Sequence, residues 1–405
     1  MIKINSIANI NKKVKNFKAD GFKKISKDFD RIFLELKADV EKKNKTLNVL
    51  NKNFNFSFKT KDLQKFKKYR SIALIGMGGS ILGTEAIYNY LQSKIKKEIF
   101  FFNNLDDTQI YNLKRKKKLS NILFIIVSKS GNTIETLSNA FALNILKKNA
   151  KNIILISEKK DNFLFLLAKK LNLFYIEHKR NIGGRFSVLS EVGILPAFLM
   201  GANIVKLRLR VYDWLKKKNK QTLKNNVLEI INLINSKKLN SLIFLNYAPE
   251  LEKFCFWCQQ LIAESLGKKN KGFLPVISNA PKDHHSLLQL YLDGPKDKFF
   301  NIFSLEKKGK EQVKINKNIG VKSFLNNKKI DSIKIAQKKA LIKALTKKNI
   351  PCREFIIKGT NEEILGNLFS YFITETIIVG KLLNINPFDQ PAVEQVKVFT
   401  KQLLN

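Results

Sequence analysis

One stretch constrains the fold more than any other. The six apolar residues Ile122-Leu123-Phe124-Ile125-Ile126-Val127 run without a break into Ser128-Lys129-Ser130-Gly131-Asn132-Thr133. A short, β-branched run with no polar alternation is the pattern of a strand buried on both faces of a parallel sheet. Beyond it, Ile134, Leu137, Phe141, Leu143 and Leu146 return roughly at helical spacing. Asn132 with Glu135 three residues on has the form of a capping box. Between strand and helix stand the hydroxyls of Ser128, Ser130 and Thr133 and the ammonium of Lys129, and Gly131 lets the backbone come close. A helix N-terminus has free N–H groups and a positive dipole end, so the segment predicts a cradle for one phosphate group. The same residues are also ordinary turn formers, and locally that reading stays open. The Gly-x-x-x-x-Gly-Lys-Ser/Thr spacing is absent, which disfavours a nucleoside triphosphate and leaves a phosphorylated small molecule.

The same grammar recurs along the chain. Ser71 to Ile75 is apolar and enters Gly76-Met77-Gly78-Gly79-Ser80, where Ser80 adds a hydroxyl that can share the phosphate. The dinucleotide spacing Gly-x-Gly-x-x-Gly fails because Ile81 stands at the third glycine, so NAD is a weak candidate. Further strands are expected at Ile99–Phe102, Ile153–Ile156 and Leu173–Ile176, with helices between them. This alternation predicts a doubly wound parallel sheet that binds ligands at the carboxyl ends of its strands. Gly183-Gly184-Arg185 offers an arginine at a tight approach, and an apolar helix, Val192–Ala202, closes the unit.

A second unit begins with a strand at Ser241–Leu245 and a helix from Glu250 to Leu266, on which Gln260 and Glu264 share a face. Asp283-His284-His285-Ser286 makes a poor metal site, since adjacent residues point apart, but one histidine suits proton transfer. Strands at Phe299–Phe303 and Glu354–Ile357, a helix at Ile333–Leu345, a long apolar helix over 361–383 and a last helix, Ala392–Leu404 with Lys397, complete the chain. Residues 1–65 read as polar helices carrying one apolar stripe that includes Phe29, Ile32, Phe33 and Leu36. From residue pattern alone, Arg185, Glu264, His285 and Lys397 are each also readable as solvated surface charges, Glu264 and Lys397 the more readily so.

Composition sets limits. A chain of 405 residues is long enough for two domains with their own cores. Its net charge of +42 has two readings: an anionic partner, or a drift towards Lys, Asn and Ile over every exposed face. Arginine is scarce and no Arg/aromatic stripe stands out, so drift is expected, with weak salt-sensitive sticking to nucleic acid but no specific nucleic-acid partner. Val192–Ala202 is too short to span a bilayer, and no membrane partner is expected. Cys255 and Cys258 lie in an apolar helical pattern with Phe254, Trp257 and Leu261, which predicts core packing and no metal site. Few cysteines and a polar Met1–Lys18 segment without an apolar core region predict a cytoplasmic protein.

Taken together, three motifs resemble the glucose-6-phosphate isomerase (phosphoglucose isomerase) family in its shorter bacterial form. They are Ser128–Thr133 with its companion Gly78-Gly79-Ser80; Gly183-Gly184-Arg185-Phe186-Ser187; and Phe388-Asp389-Gln390-Pro391-Ala392-Val393-Glu394-Gln395-Val396-Lys397. The last is highly specific, and the order of motifs agrees over about residues 65–405. The family's pattern is departed from at Ala263 before the acid and at Arg180 before the Gly-Gly-Arg motif.

The resemblance implies an α/β protein of two doubly wound parallel-sheet (flavodoxin-like, SIS-type) domains with N- and C-terminal helical extensions. Their expected bounds are 1–65 for the N-terminal helices, 66–205 for phosphate binding, 206–360 for the catalytic acid, and 361–405 for helices that pack back on the site. It implies interconversion of glucose 6-phosphate and fructose 6-phosphate through an enediolate, a step of glycolysis and gluconeogenesis, without metal or cofactor and in a homodimer. Glu264 would be the base and Arg185 would stabilise the enediolate. His285, favoured over His284 by spacing from Glu264, would open the sugar ring with Lys397. Gln260 and Gln390 would hold hydroxyls, and Gly79, Ser80, Ser128, Lys129, Ser130 and Thr133 the phosphate. Two other readings of the same fold are a non-catalytic sugar-phosphate sensor and an amino-sugar-phosphate isomerase. The Gln390…Lys397 stretch argues against the second, and Glu264, Arg185 and Lys397 together against the first.

Overall fold

The computed structural model describes residues 2–6, 19–236, 239–307, 309–316 and 323–404. Within them, ten strands form two five-stranded sheets. Strand β1 (Ile2–Ser6) belongs to the second sheet. Strands β2 (Ser71–Gly76), β3 (Glu98–Phe102), β4 (Ile122–Val127), β5 (Ile153–Ser157) and β6 (Phe174–Glu177) make the first sheet. It is parallel throughout, in the order β3-β2-β4-β5-β6.

The alternation of side chains along β4 shows why this sheet must be covered on both faces. Leu123, Ile125 and Val127 enter one apolar cluster, and Ile122, Phe124 and Ile126 enter another. Helices α1 (Ala19–Glu41) and α2 (Leu82–Leu91) supply the first cluster. The second is supplied by α3 (Asp107–Lys116), α4 (Ile134–Ala142) and α5 (Phe163–Lys170). The order is flavodoxin-like, and its switch point lies between β2 and β4. The Gly76–Ser80 and Ser128–Thr133 loops leave the sheet there.

Helices α6 (Glu191–Met200) and α7 (Lys217–Asn235) lead into the second sheet. That sheet comprises β7 (Ser241–Asn246), β8 (Leu274–Asn279), β9 (Lys298–Glu306) and β10 (Cys352–Lys358), in the order β1-β10-β9-β7-β8. Only β1 runs antiparallel, pairing Ile2 with Ile357. Helices α8 (Glu252–Leu266), α9 (Ile330–Lys347) and α10 (Glu362–Leu382) accompany it, and α11 (Glu394–Leu404) follows. Helix α8 packs along α2 and against α10, so one apolar core runs between the two sheets. Among the described residues no helix is long and apolar enough to cross a membrane.

The structure corrects several expectations. The N-terminal segment contributes a strand as well as a helix. Strand β8 adds to the expected strands; it contains Pro275, whose missing N–H costs no ladder bond at the sheet's edge. The capping box does not form: Thr133 is the N-cap of α4 and makes no side-chain cap bond. Asn132 Oδ1 instead accepts the Phe163 N–H at 3.0 Å, tying the loop to α5. Of the C-terminal helices, α10 is core, with Phe369, Phe372 and Ile377 fully buried. Helix α11 does not pack back on the site within one chain; its residues 394–399 and 401–404 are exposed.

Candidate active site

The first loop is built by close backbone approach. Gly79 lies so near Gly184 and the Arg185 N–H that any Cβ would overlap them. A Cβ at Gly76 would stand 3.0 Å from the Val127 carbonyl oxygen and 3.2 Å from Ser80 Cβ, so the end of β2 lies close against both. The glycine-rich turn therefore meets both the Ser128 loop and the Gly183-Gly184-Arg185 segment. In the Ser128 loop, Ser128 Oγ lies 2.8 Å from Thr133 Oγ1 and accepts the Gly131 N–H at 3.1 Å. Ser130 Oγ is 3.5 Å from each of those hydroxyls. Three hydroxyls thus converge ahead of α4. Gly131 has φ +71°, and a side chain there would overlap Asn162.

Lys129 is placed differently from the expectation that it grips the ligand. Its Nζ donates to the Arg180 carbonyl at 2.9 Å and lies 3.6 Å from Glu158 Oε1, so its charge is tied to the turn after β5. Burial lowers its pKa, an effect that Glu158 partly offsets. The Glu158 N–H in turn bonds the Lys129 carbonyl at 3.1 Å, and Asn162 Nδ2 bonds the Glu158 carbonyl at 2.8 Å. Glu158 and Asn162 back the loop from behind. Sequence reasoning missed both, since neither stands in a motif.

Arg185 is the hub. It is only 2 % exposed, and all three guanidinium nitrogens are engaged. Nε donates to Ser265 Oγ at 2.9 Å and Nη1 to Glu264 Oε2 at 3.1 Å; Nη1 also reaches Gln390 Oε1 at close range. Nη2 donates to the carbonyls of Pro387 and Asp389 at 2.8 and 2.9 Å. Burial lowers its pKa while the Glu264 carboxylate opposes the shift, and the group stays cationic at neutral pH. Glu264 Oε1 accepts from Gln260 Nε2 at 2.8 Å, as their spacing of one helical turn allows. Gln260 itself packs over Gly78, where a Cβ would come within 2.6 Å of its Nε2. Lys268 holds the 386–390 segment by an ion pair with Asp389 at 2.7 Å.

Arg185, Glu264, Gln260 and Gln390 are therefore one cluster, fed by three distant parts of the chain and adjoining the glycine-rich turn. Ser265 belongs to it too; its only sequence signal was adjacency to Glu264. His285 and Lys397 are not brought in by this chain. His285 is exposed, and Lys397 is exposed and paired with Glu394 at 2.6 Å within α11. His284 is the more enclosed histidine, its Nε2 lying 2.8 Å from the Tyr247 hydroxyl; burial and neighbouring His285 lower its pKa.

Two flavodoxin-like sheets that share a core, with a hydroxyl cradle at one switch point and a guanidinium–carboxylate pair beside it, define a protein of the sugar-isomerase (SIS) fold. The phosphoglucose isomerase family model matches residues 31–286. The glucose-6-phosphate isomerase of Methanocaldococcus jannaschii is 35 % identical over 356 residues, 85 % of this chain and 87 % of that protein. Among solved structures, a hypothetical protein from Thermus thermophilus superposes with a TM-score of 0.84 at 24 % identity, covering 100 % of both chains. A glucose-6-phosphate isomerase from Chlamydia trachomatis gives 0.70 at 21 % identity, covering 84 % of this chain and 71 % of that one. The chain belongs to the phosphoglucose isomerase family.

Proposed function

We propose that this protein interconverts glucose 6-phosphate and fructose 6-phosphate by moving one proton between C1 and C2 through an enediolate. The observation that carries the reading is the Glu264 carboxylate held 3.1 Å from the Arg185 guanidinium, beside the glycine-rich turn. A carboxylate is small and two-faced enough to serve adjacent carbons as a base. The guanidinium, permanently charged and fixed by five hydrogen bonds in all, is preorganised to stabilise negative charge growing on the enediolate oxygens. Ser80, Ser128, Ser130 and Thr133, with the backbone at Gly79 and Lys129, bind the phosphate. Grip on that remote group orients the reacting end. Gln260 and Gln390 hold sugar hydroxyls.

Ring opening is assigned to His285 and Lys397. Both stand outside the cluster in the single chain, and Val396, Phe399 and Leu403 leave α11 with an exposed apolar stripe. These features support a homodimer whose sites lie near the subunit contact. Light scattering should give twice the 46.7 kDa chain mass at assay concentration. A monomer with full turnover would overturn that assembly. Three free, buried cysteines suit a cytoplasmic location.

The chemistry is tested in D₂O. Repeated turnover of fructose 6-phosphate is expected to give glucose 6-phosphate carrying deuterium at C2. Product and recovered substrate both free of label after many equilibrations would mean hydride transfer and reject Glu264 as base.

A further inference from the structure

The isomerase chemistry uses the carboxyl ends of the first sheet's strands. The opposite edge carries a separate groove of about 650 Å³. It is lined where the chain enters β2, β5 and β6, by Lys65 and Lys68, by Asn149 and Lys151, and by Asn172 and Phe174. At about 3.3 Å per residue, a strand such as β4 separates it from the phosphate cradle by about 20 Å.

The groove is built rather than incidental. Asn149 and Asn172 take left-handed backbone conformations, φ +60° and +50°, which asparagine tolerates. The Asn149 N–H donates to the Leu171 carbonyl at 2.8 Å, and Asn172 Nδ2 donates to Asn149 Oδ1 at 2.8 Å, so the two loops are pinned together. Phe174 is half-buried, its ring set edge-on to buried Phe66 at 5.0 Å between centroids. Among the described residues no aspartate or glutamate lines the groove. The Lys65 ammonium sits 4.4 Å above the Phe174 ring and that of Lys68 lies 5.4 Å from Tyr69. An exposed cation–π contact holds an ammonium only weakly, so Lys65 and Lys68 can turn to a phosphate at little cost.

We propose that this groove binds single-stranded nucleic acid without base preference, through phosphate contacts to Lys65, Lys68 and Lys151 and one base laid on Phe174. A cationic channel with an aromatic floor is the recurrent design for such strands. A flat bilayer cannot reach a concave floor, and the paired bases of a duplex are not free to stack there. The net charge of +42 draws polyanions to the whole surface; the groove is where the chain offers them a shaped seat.

The test is fluorescence anisotropy with a labelled twelve-nucleotide oligo-U over a range of KCl concentrations. Three phosphates neutralised at roughly 0.7 each predict a slope of log affinity against log salt of about −2. The triple variant Lys65→Glu, Lys68→Glu, Lys151→Glu is compared with Lys339→Glu, Lys343→Glu, Lys347→Glu, an equal charge change on exposed positions of α9. The groove triple should lose at least ten-fold more affinity than the control triple, with both melting as wild type does. Phe174→Leu, which keeps an apolar side chain on the floor, should lose several-fold for oligo-U and nothing for linear polyphosphate. Equal losses in the two triples, absence of binding at 100 mM KCl, or tighter binding to polyphosphate or anionic vesicles with no effect of Phe174→Leu would each overturn the proposal.

Discussion

Glu264→Gln is expected to lower kcat by at least ~10², within the ~10² to 10⁴ that a positioned base contributes, while KM changes by only a few-fold. The substitution is nearly isosteric, so the loss can be read as chemistry. In the native site two donors face the carboxylate, Arg185 Nη1 at 3.1 Å and Gln260 Nε2 at 2.8 Å. A glutamine amide presents one acceptor and one donor, so one of those contacts would become donor against donor. Gln260 can relieve it by turning its amide over, because its Oε1 is buried and accepts no bond in the native arrangement. Arg185 keeps Ser265, Gln390 and two carbonyls, so the 386–390 segment stays anchored. Deuterium incorporation from D₂O should fall in step with kcat. A variant retaining more than a tenth of wild-type kcat, or one that still exchanges label at the wild-type rate, would take the base role away from Glu264.

How much of this arrangement could be read beforehand depends on what each residue's neighbours are. Ile122–Val127 was legible as a buried strand because every position is apolar, and both faces are covered. Leu274–Asn279 was not, because Pro275 is a legitimate marker against a central strand and nothing local says that this strand lies at an edge. Ile2–Ser6 failed for a related reason: an edge strand that adds antiparallel to β10 owes its state to a partner near the other end of the chain. The phosphate loop announced itself through hydroxyls and a glycine in one hexapeptide. What the Lys129 side chain does was hidden, because it is decided by Glu158 and by the Arg180 carbonyl, which reach it through the fold. The cluster around Arg185 shows the same limit more sharply. Its members come from the segments after β6, on α8 and before α11, and no spacing rule links them. Only the resemblance carried by the C-terminal motif put Gln390 beside Arg185. Lys397 and His285 stay exposed and outside the cluster in the single chain, and nothing in their local sequence says so.

Arg353→Met is expected to be the most destabilising single change away from the site, at ~3–5 kcal/mol, the usual cost of removing one partner of a buried ion pair. Arg353 is fully buried between β10 and α10, where its Nη2 meets Glu375 Oε2 at 2.8 Å and its Nη1 meets Glu375 Oε1 at 2.6 Å. Its Nε donates to Asn301 Oδ1 at 2.6 Å. The Tyr371 hydroxyl donates to Glu375 at 2.6 Å and accepts from Asn226 at 2.9 Å, so a single polar thread crosses a layer otherwise made of Phe303, Phe355 and Phe372. Methionine fills part of the arginine volume but leaves the Glu375 carboxylate with the tyrosine hydroxyl as its remaining donor in that thread. The cost is therefore the stranded charge and not the lost cation, and two measurements separate these. First, the double variant Arg353→Met, Glu375→Met should recover most of the loss in urea midpoint, since both charges then leave the core together. Second, Glu375→Gln made on top of Arg353→Met, which removes the stranded charge and keeps the side-chain size, should recover part of the same loss. A single variant within about 1 kcal/mol of wild type at pH 7, or a double variant no better than the single, would show that the pair does not hold α10 to the second sheet in this way.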